Sequence, residues 1–186
     1  MNQKLYKIMK KIVVFAGSNS KKSINKQLAV CAASLTKNTE IEILDLNDFE
    51  VPMYGTDEET ANGIPKKATE FLETVHRADG IILSLAEHNG NFASVFKNIY
   101  DWSSRIEQKL WHNIPMLLMA TSPGASGGAS VLSIAKSGFP HMGGNIVADF
   151  SLPSFYDNFK EGKIINEDVF SLLEEQVNKF NNTINQ

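Results

Sequence analysis

The chain has a single cysteine, Cys31, so it has no internal disulfide and no metal centre built on paired thiolates. No apolar run reaches the roughly 20 residues that cross a bilayer, and no membrane partner is expected. No continuous apolar segment stands near the amino terminus, so no signal peptide is expected either, and a reducing cytoplasm is the expected compartment. There is no long basic run, and the net charge is −3, which argues against nucleic acid. What remains is a globular composition, 42% hydrophobic over 186 residues, enough for one domain with a proper core and too little for two. Residues 1–186 are read as that one domain, with 1–10 as a polar leader in which Leu5, Tyr6, Ile8 and Met9 are scattered.

From Lys11 the pattern becomes regular. Lys11 to Ala16 is a continuous apolar strand, and Ile24, Leu28, Cys31, Ala32 and Leu35 then recur at helical spacing. Cys31 falls on that helix's apolar face, which reads as a buried structural thiol. Ile41 to Leu46 reads as a second strand, Asn47 to Gly63 as a loop, and Ile64 to Val75 as a second helix. Gly80 to Leu85 is a third strand, and Phe92, Val95, Phe96, Ile99 and Tyr100 mark a third helix. Pro115 to Ala120 is a fourth strand, followed by a helix ending before Pro140. Asn145 to Phe150 is a fifth strand, and Asn166 caps a last helix whose apolar stripe runs from Val169 to Phe180. Strands alternating with helices predict an α/β fold, a doubly wound five-stranded parallel sheet with helices on both faces. In a 2-1-3-4-5 strand order, the loops after strands one, three and four share one edge, where such sheets bind ligands.

Those three loops carry the chemistry. Gly17-Ser18-Asn19-Ser20-Lys21-Lys22-Ser23-Ile24-Asn25 joins a buried strand to a helix start, where free amides and the helix dipole favour an anion. The same stretch also reads as an ordinary helix entry with Ser23 as its cap. A Walker A loop would need glycine at Lys22 and lysine at Ser23, and a dinucleotide fingerprint would need glycine at Asn19 and Lys22. Asp45, at the end of strand two, would suit a ribose only with those glycines. The pattern left is a cradle for a single phosphate. The lysines through Lys22 read as solubilising residues beside a buried strand.

After strand three comes Ala86-Glu87-His88-Asn89-Gly90, small and polar, suited to the edge of a planar ligand. No second histidine or cysteine stands at metal-ligand spacing from His88, so no metal is expected. Glu87 reads equally as a solvated turn acid. Ser122-Pro123-Gly124-Ala125-Ser126-Gly127-Gly128 follows strand four and reads as a close-approach loop or as a plain connection. The nucleophile elbow of serine hydrolases is absent, because Gly124-Ala125-Ser126-Gly127 has the wrong spacing.

The three segments together resemble the NAD(P)H-dependent FMN reductases of the flavodoxin-like superfamily. The family's Gly-Ser-x-Arg-x-x-Ser-x-Asn loop is similar to Gly17–Asn25. Its Pro-Glu-Tyr-Asn-Gly segment, with later Lys-Asn and Asp-Trp pairs, is similar to Ala86–Gly90 with Lys97-Asn98 and Asp101-Trp102. Its Ser-Pro-Gly-x-x-Gly-Gly loop is similar to Ser122–Gly128. Ser20 replaces the family's arginine, Ala86 its proline and His88 its tyrosine. The resemblance implies FMN, with its phosphate at Ser18, Ser20, Ser23, Ile24 and Asn25. It puts the ring against Ala86, Glu87, His88, Asn89 and Gly90 and against Ser122, Gly124 and Ser126. It implies hydride transfer from NADH or NADPH to the flavin and then to a quinone, flavin, azo or similar small acceptor. No catalytic side chain is nominated, and Ser20 leaves the choice of nicotinamide open. A flavodoxin-type electron carrier or an FMN-binding regulator is the alternative. A homodimer or homotetramer is implied as well. Phe92, Phe96, Tyr100 and Trp102 read either as a subunit face or as core.

Overall fold

The structure, a computed structural model, describes residues 9–186, and the first eight residues of the expected leader lie outside the described residues. In chain order the main elements are β1 (Lys10–Gly17), α1 (Ile24–Ser34), β2 (Thr39–Ile43), α2 (Thr56–Asn62), α3 (Lys66–His76) and β3 (Gly80–Leu85). A two-residue hairpin, β4 (Glu87–His88) and β5 (Asn91–Phe92), precedes α4 (Ser94–Ile106). Then come β6 (Pro115–Thr121), α5 (Ala129–Gly138), β7 (Asn145–Leu152), α6 (Phe155–Asn158), a second hairpin β8 (Phe159–Lys160) and β9 (Lys163–Ile164), and α7 (Glu167–Ile184).

The main sheet has the order β2-β1-β3-β6-β7, every pair parallel. Counting its five strands alone, this is the expected 2-1-3-4-5 order. The alternation of side chains along each strand sorts the apolar residues onto two faces. Val13, Phe15, Ile81, Leu83, Met116 and Leu118 pack under α3, α4 and α5. Ile12, Val14, Ile82, Leu117 and Met119 pack under α1 and α7, with Cys31 buried among them. Because both faces are covered, the central strands read as unbroken apolar runs. Burial pushes the Cys31 thiol above its usual pKa, so it stays protonated and inert.

Some boundaries differ from the sequence reading. β2 starts at Thr39 and ends at Ile43, and the chain then turns through a 3₁₀ helix, Leu46–Phe49, that buries Leu46. The expected loop from Asn47 to Gly63 contains α2. That helix buries none of its residues, so it has no apolar stripe to betray it; an acidic first turn and Gly63 at its carboxyl cap mark its ends. In α4, Phe96 and Trp102 are core and Tyr100 is half-buried against it. Phe96 packs on Phe139 and Tyr100 stacks on Trp111, and Trp102 Nε1 donates to Pro52 O at 2.8 Å. No helix among the described residues is long and apolar enough to cross a membrane.

Candidate functional site

The loops after β1, β3 and β6 converge at the carboxyl edge of the sheet. Between them lies a cavity of about 240 Å³, lined by Ser18, Ser20, Ser23, Ile24, Asn25, Ala86, Glu87, His88 and Ser122 from the expected set. Lys22, Thr121, Pro123 and Tyr156 complete the wall. A larger hollow of about 380 Å³ runs along α1 and shares Lys22 and Ser23, but no residue of the loops after β3 and β6 reaches it. The smaller cavity is the candidate site, because three strand-end loops meet there.

The wall is built from the first loop upward. Ser23 caps α1, its Oγ accepting from Lys26 N at 3.2 Å. The cap reading of this stretch is therefore correct. It leaves the amides of Ile24 and Asn25, which line the cavity, without intrahelical partners. Ser18 Oγ accepts from Ser20 N at 3.2 Å, and Ser20 Oγ accepts from Lys22 N at 3.3 Å. Each hydroxyl uses a lone pair in these turns and keeps its hydrogen to donate elsewhere. Asn47 Nδ2 donates to Asn19 O at 3.1 Å and ties the loop to the segment after β2.

Asn25 has a different task from the one its position suggests. It is buried, its Oδ1 accepts from Ser84 Oγ at 2.7 Å and Thr121 N at 3.0 Å, and its Nδ2 donates to Thr121 O at 3.1 Å. Three of its side-chain hydrogen-bonding positions clip α1 to the ends of β3 and β6, which leaves one Nδ2 hydrogen and its backbone amide for a ligand. Glu87 is likewise engaged and is no solvated turn acid. Its Oε2 accepts from Val131 N at 3.0 Å, in the first turn of α5, where the helix dipole favours a carboxylate. This bond joins the loop after β3 to the one after β6.

The loop after β6 is drawn tightly against β7. Gly127 and Gly128 have φ of +60° and +78°, which glycine adopts freely. A Cβ on Gly127 would lie 2.9 Å from Pro153 N, and one on Gly128 would lie 2.9 Å from Ala120 Cβ. Ser154 N donates to Gly124 O at 2.9 Å and Phe155 N to Ser122 O at 3.0 Å, which brings the exposed Tyr156 to the rim. Four expected residues do not reach the wall. Asn89 and Gly90 form the positive-φ tip of the β4–β5 hairpin, and Gly124 and Ser126 lie exposed on the third loop.

The sequence reading missed four wall residues. Thr121 is the last residue of β6, and Pro123 stands within the loop already singled out, so the strand-end rule would have found both. Lys22 was read as a solubilising flank, yet it brings a cation to the loop in which serine stands at position 20. Tyr156 lies on α6, four residues long and without periodicity of its own. Asp45, weighed as a ribose acid, instead pairs with Lys26 Nζ at 2.7 Å and accepts from Asn47 N at 3.0 Å. The Lys26 hydrogen bond, aided by Asn47, holds its carboxyl below the usual carboxylate range.

The model of the family described as NADPH-dependent FMN reductase matches residues 10–157, which contain all three loops. The chain belongs to the NADPH-dependent FMN reductase family. A 2-hydroxy-1,4-benzoquinone reductase from a Burkholderia species is 30% identical over 178 residues, 91% of this chain and 93% of its own. A quinone reductase of Escherichia coli K12 is 29% identical over 123 residues, 63% of each chain. In structure, the chain is similar to FerB, a flavoenzyme NAD(P)H:acceptor oxidoreductase from Paracoccus denitrificans, with a TM-score of 0.74 and 24% identity over 95% of this chain and 97% of that one. The chain is thus an oxidoreductase of flavodoxin-like fold that uses FMN with NAD(P)H as electron donor.

Proposed function

We propose that the cavity holds one FMN, that electrons arrive from NADH or NADPH, and that they leave to a quinone or similar small acceptor. One observation carries the reading: hydroxyls, helix-head amides and a lysine line one end of a cavity whose other walls are the loops after β3 and β6. Ser18 and Ser20 donate to the phosphate, with the amides of Ile24 and Asn25 and the positive end of α1. Ser23 supports it by holding α1 in place. The ring lies toward Ala86, Glu87 and His88 on one side and Ser122 on the other. Bound flavin supplies the two-electron redox chemistry. The chain's own residues bind and orient; with Glu87 committed to α5, no side chain is assigned a proton transfer. His88 and Tyr156, exposed beside the cavity, offer flat faces against which a planar acceptor can stack.

The acceptor class rests on the names of the benzoquinone and quinone reductases to which the chain is similar. We further propose one domain, a cytoplasmic location and a homodimer. Exposed Met53, next to the Pro52 carbonyl that α4 holds, and exposed Ile106 at the end of α4 offer apolar surface for a subunit contact, and light scattering on the purified protein tests the dimer. For the site, the test is FMN affinity and turnover with NADH or NADPH and menadione. Ser18→Ala with Ser20→Ala is expected to weaken FMN binding about a hundredfold or more, since each hydroxyl bond to a charged group contributes about 1.5–3 kcal/mol. Unchanged affinity overturns the phosphate cradle. Flavin that stays oxidised under anaerobic NADH and NADPH favours an electron carrier instead.

A further inference from the structure

Away from the cavity, the described residues bring together one group of metal-ligating side chains: His76, Glu107 and His112. His76 ends α3, Glu107 follows α4, and His112 lies in the turn before β6, so they meet only through the fold, at the sheet edge opposite the strand-end loops. One possible ligand atom of each lies within 4.8 Å of those of the other two. His76 Nε2 lies 2.9 Å from Leu110 O, so that nitrogen carries the proton and Nδ1 keeps its lone pair. A backbone carbonyl fixing the far nitrogen is the arrangement that orients ligating histidines. His112 Nε2 faces Glu107 Oε1 at 2.6 Å. Its backbone is left-handed, with φ +50°, and Asn113 follows at +58°. Such a conformation persists only where its surroundings enforce it.

The two imidazoles stack, with centroids 3.5 Å apart and planes 12° from parallel. A metal cannot lie in both ring planes while they are stacked. His76 is held by Leu110, but His112 and Glu107 have exposed outer sides, and His112 has room to turn out of the stack. Bonds of about 2.1 Å in a tetrahedral site put ligand atoms about 3.4 Å apart. The three ligand atoms must therefore draw closer than the 4.8 Å within which they now lie, with His112 turning out of the stack.

We propose that His76, Glu107 and His112 bind a divalent transition metal of the zinc class, with water completing the shell. Two imidazoles and one carboxylate suit zinc, whereas magnesium and calcium prefer sites made of oxygen. The metal would tie together the ends of α3 and α4 and the turn before β6, a structural role separate from electron transfer.

The test is calorimetric titration of the FMN-loaded protein with zinc, paired with thermal melting. One equivalent is expected to bind, and a hundredfold excess over the dissociation constant is expected to raise the melting temperature by about 5–10 °C. His112→Asn and Glu107→Gln are each expected to weaken binding about tenfold or more. Asparagine tolerates the left-handed backbone at 112, so that variant keeps the turn, and its metal-free melt checks this. His88→Asn, at the far edge, is expected to leave zinc binding unchanged. Absence of both binding heat and melting shift overturns the proposal. So does loss of zinc binding in His88→Asn with none in His112→Asn.

Discussion

Replacing Asn25 by alanine removes the clip that joins α1, β3 and β6 at the site. Three hydrogen bonds go: from Ser84 Oγ, from Thr121 N, and to Thr121 O. The Ser84 hydroxyl can turn to another acceptor, but Thr121, itself buried, loses its partners on both N–H and C=O. Each buried orphan costs about 1–3 kcal/mol, so the two together cost about 2–6 kcal/mol. In a chain of this size, 1 kcal/mol moves the melting temperature by about 2–4 °C, so the midpoint should fall by about 4 °C at the least and about 20 °C at the most. Urea unfolding followed by fluorescence of the buried Trp102 and Trp111 measures the loss directly. Asn25→Asp sharpens the test. It keeps the shape and both accepted bonds but turns an anionic oxygen toward Thr121 O. Burial raises the pKa of such a carboxyl, so its penalty is full near neutrality and recedes as falling pH protonates it and restores a donor. The alanine variant has no such recovery. An alanine variant within about 0.5 kcal/mol of the parent would refute the clip.

Glu87→Gln keeps an acceptor for Val131 N but removes the charge at the head of α5; a loss of about 0.3–1 kcal/mol in urea unfolding is expected, and Glu87→Ala should cost more. The Lys26–Asp45 pair stabilises the fold above the ordinary carboxylate range, and its contribution fades as pH falls through the depressed Asp45 pKa. Asp45→Asn should therefore be less stable than the parent near neutrality and equal to it in strong acid, as unfolding at several pH values will read. Burial, with the Asp101 charge beside it, pushes the Tyr100 phenol up to about 12, against about 10 unfolded, so the parent loses stability as pH rises between those values. Tyr100→Phe should lack that part of the alkaline decline, a difference that vanishes below about pH 9.5.

The sequence carried the sheet well because burial on both sides leaves a simple signature. β3 falls at Gly80–Leu85, as its isoleucine and leucine run implies, and Asn166 caps α7 by accepting from Val169 N. Where an element buries little or is very short, the signature fails. α2 has no apolar face, α6 has four residues, and the β8–β9 hairpin has two residues per strand, so each passed as loop. The three site loops were legible because polar, small-residue runs at strand ends stand out against apolar strands. The partners within them were not. Nothing in the order of residues says that Asn25 reaches Thr121, 96 positions on, or that Glu87 reaches Val131, 44 positions on. Such pairs follow only from the strand order that makes the loops neighbours.

That division has a physical consequence for how the site works. Ser23, Asn25 and Glu87 are engaged with the protein itself, through the α1 cap, the three-element clip and the head of α5. Ser18 and Ser20 make only local bonds within the first loop and keep their hydroxyl hydrogens. Removing a residue of the first kind must change folding and ligand affinity together, because the walls move with the bond. Removing one of the second kind should change affinity with little effect on the unliganded fold. The cleft is therefore shaped before the cofactor arrives, with the cost of positioning its loops met by buried hydrogen bonds among them. FMN, by binding only the folded chain, adds stability that grows with the logarithm of its free concentration once that exceeds its dissociation constant. A plot of melting temperature against FMN concentration should thus start lower in Asn25→Ala than in the parent and also begin to rise only at higher FMN. In the Ser18→Ala, Ser20→Ala variant it should start near the parent value and begin to rise only at higher FMN.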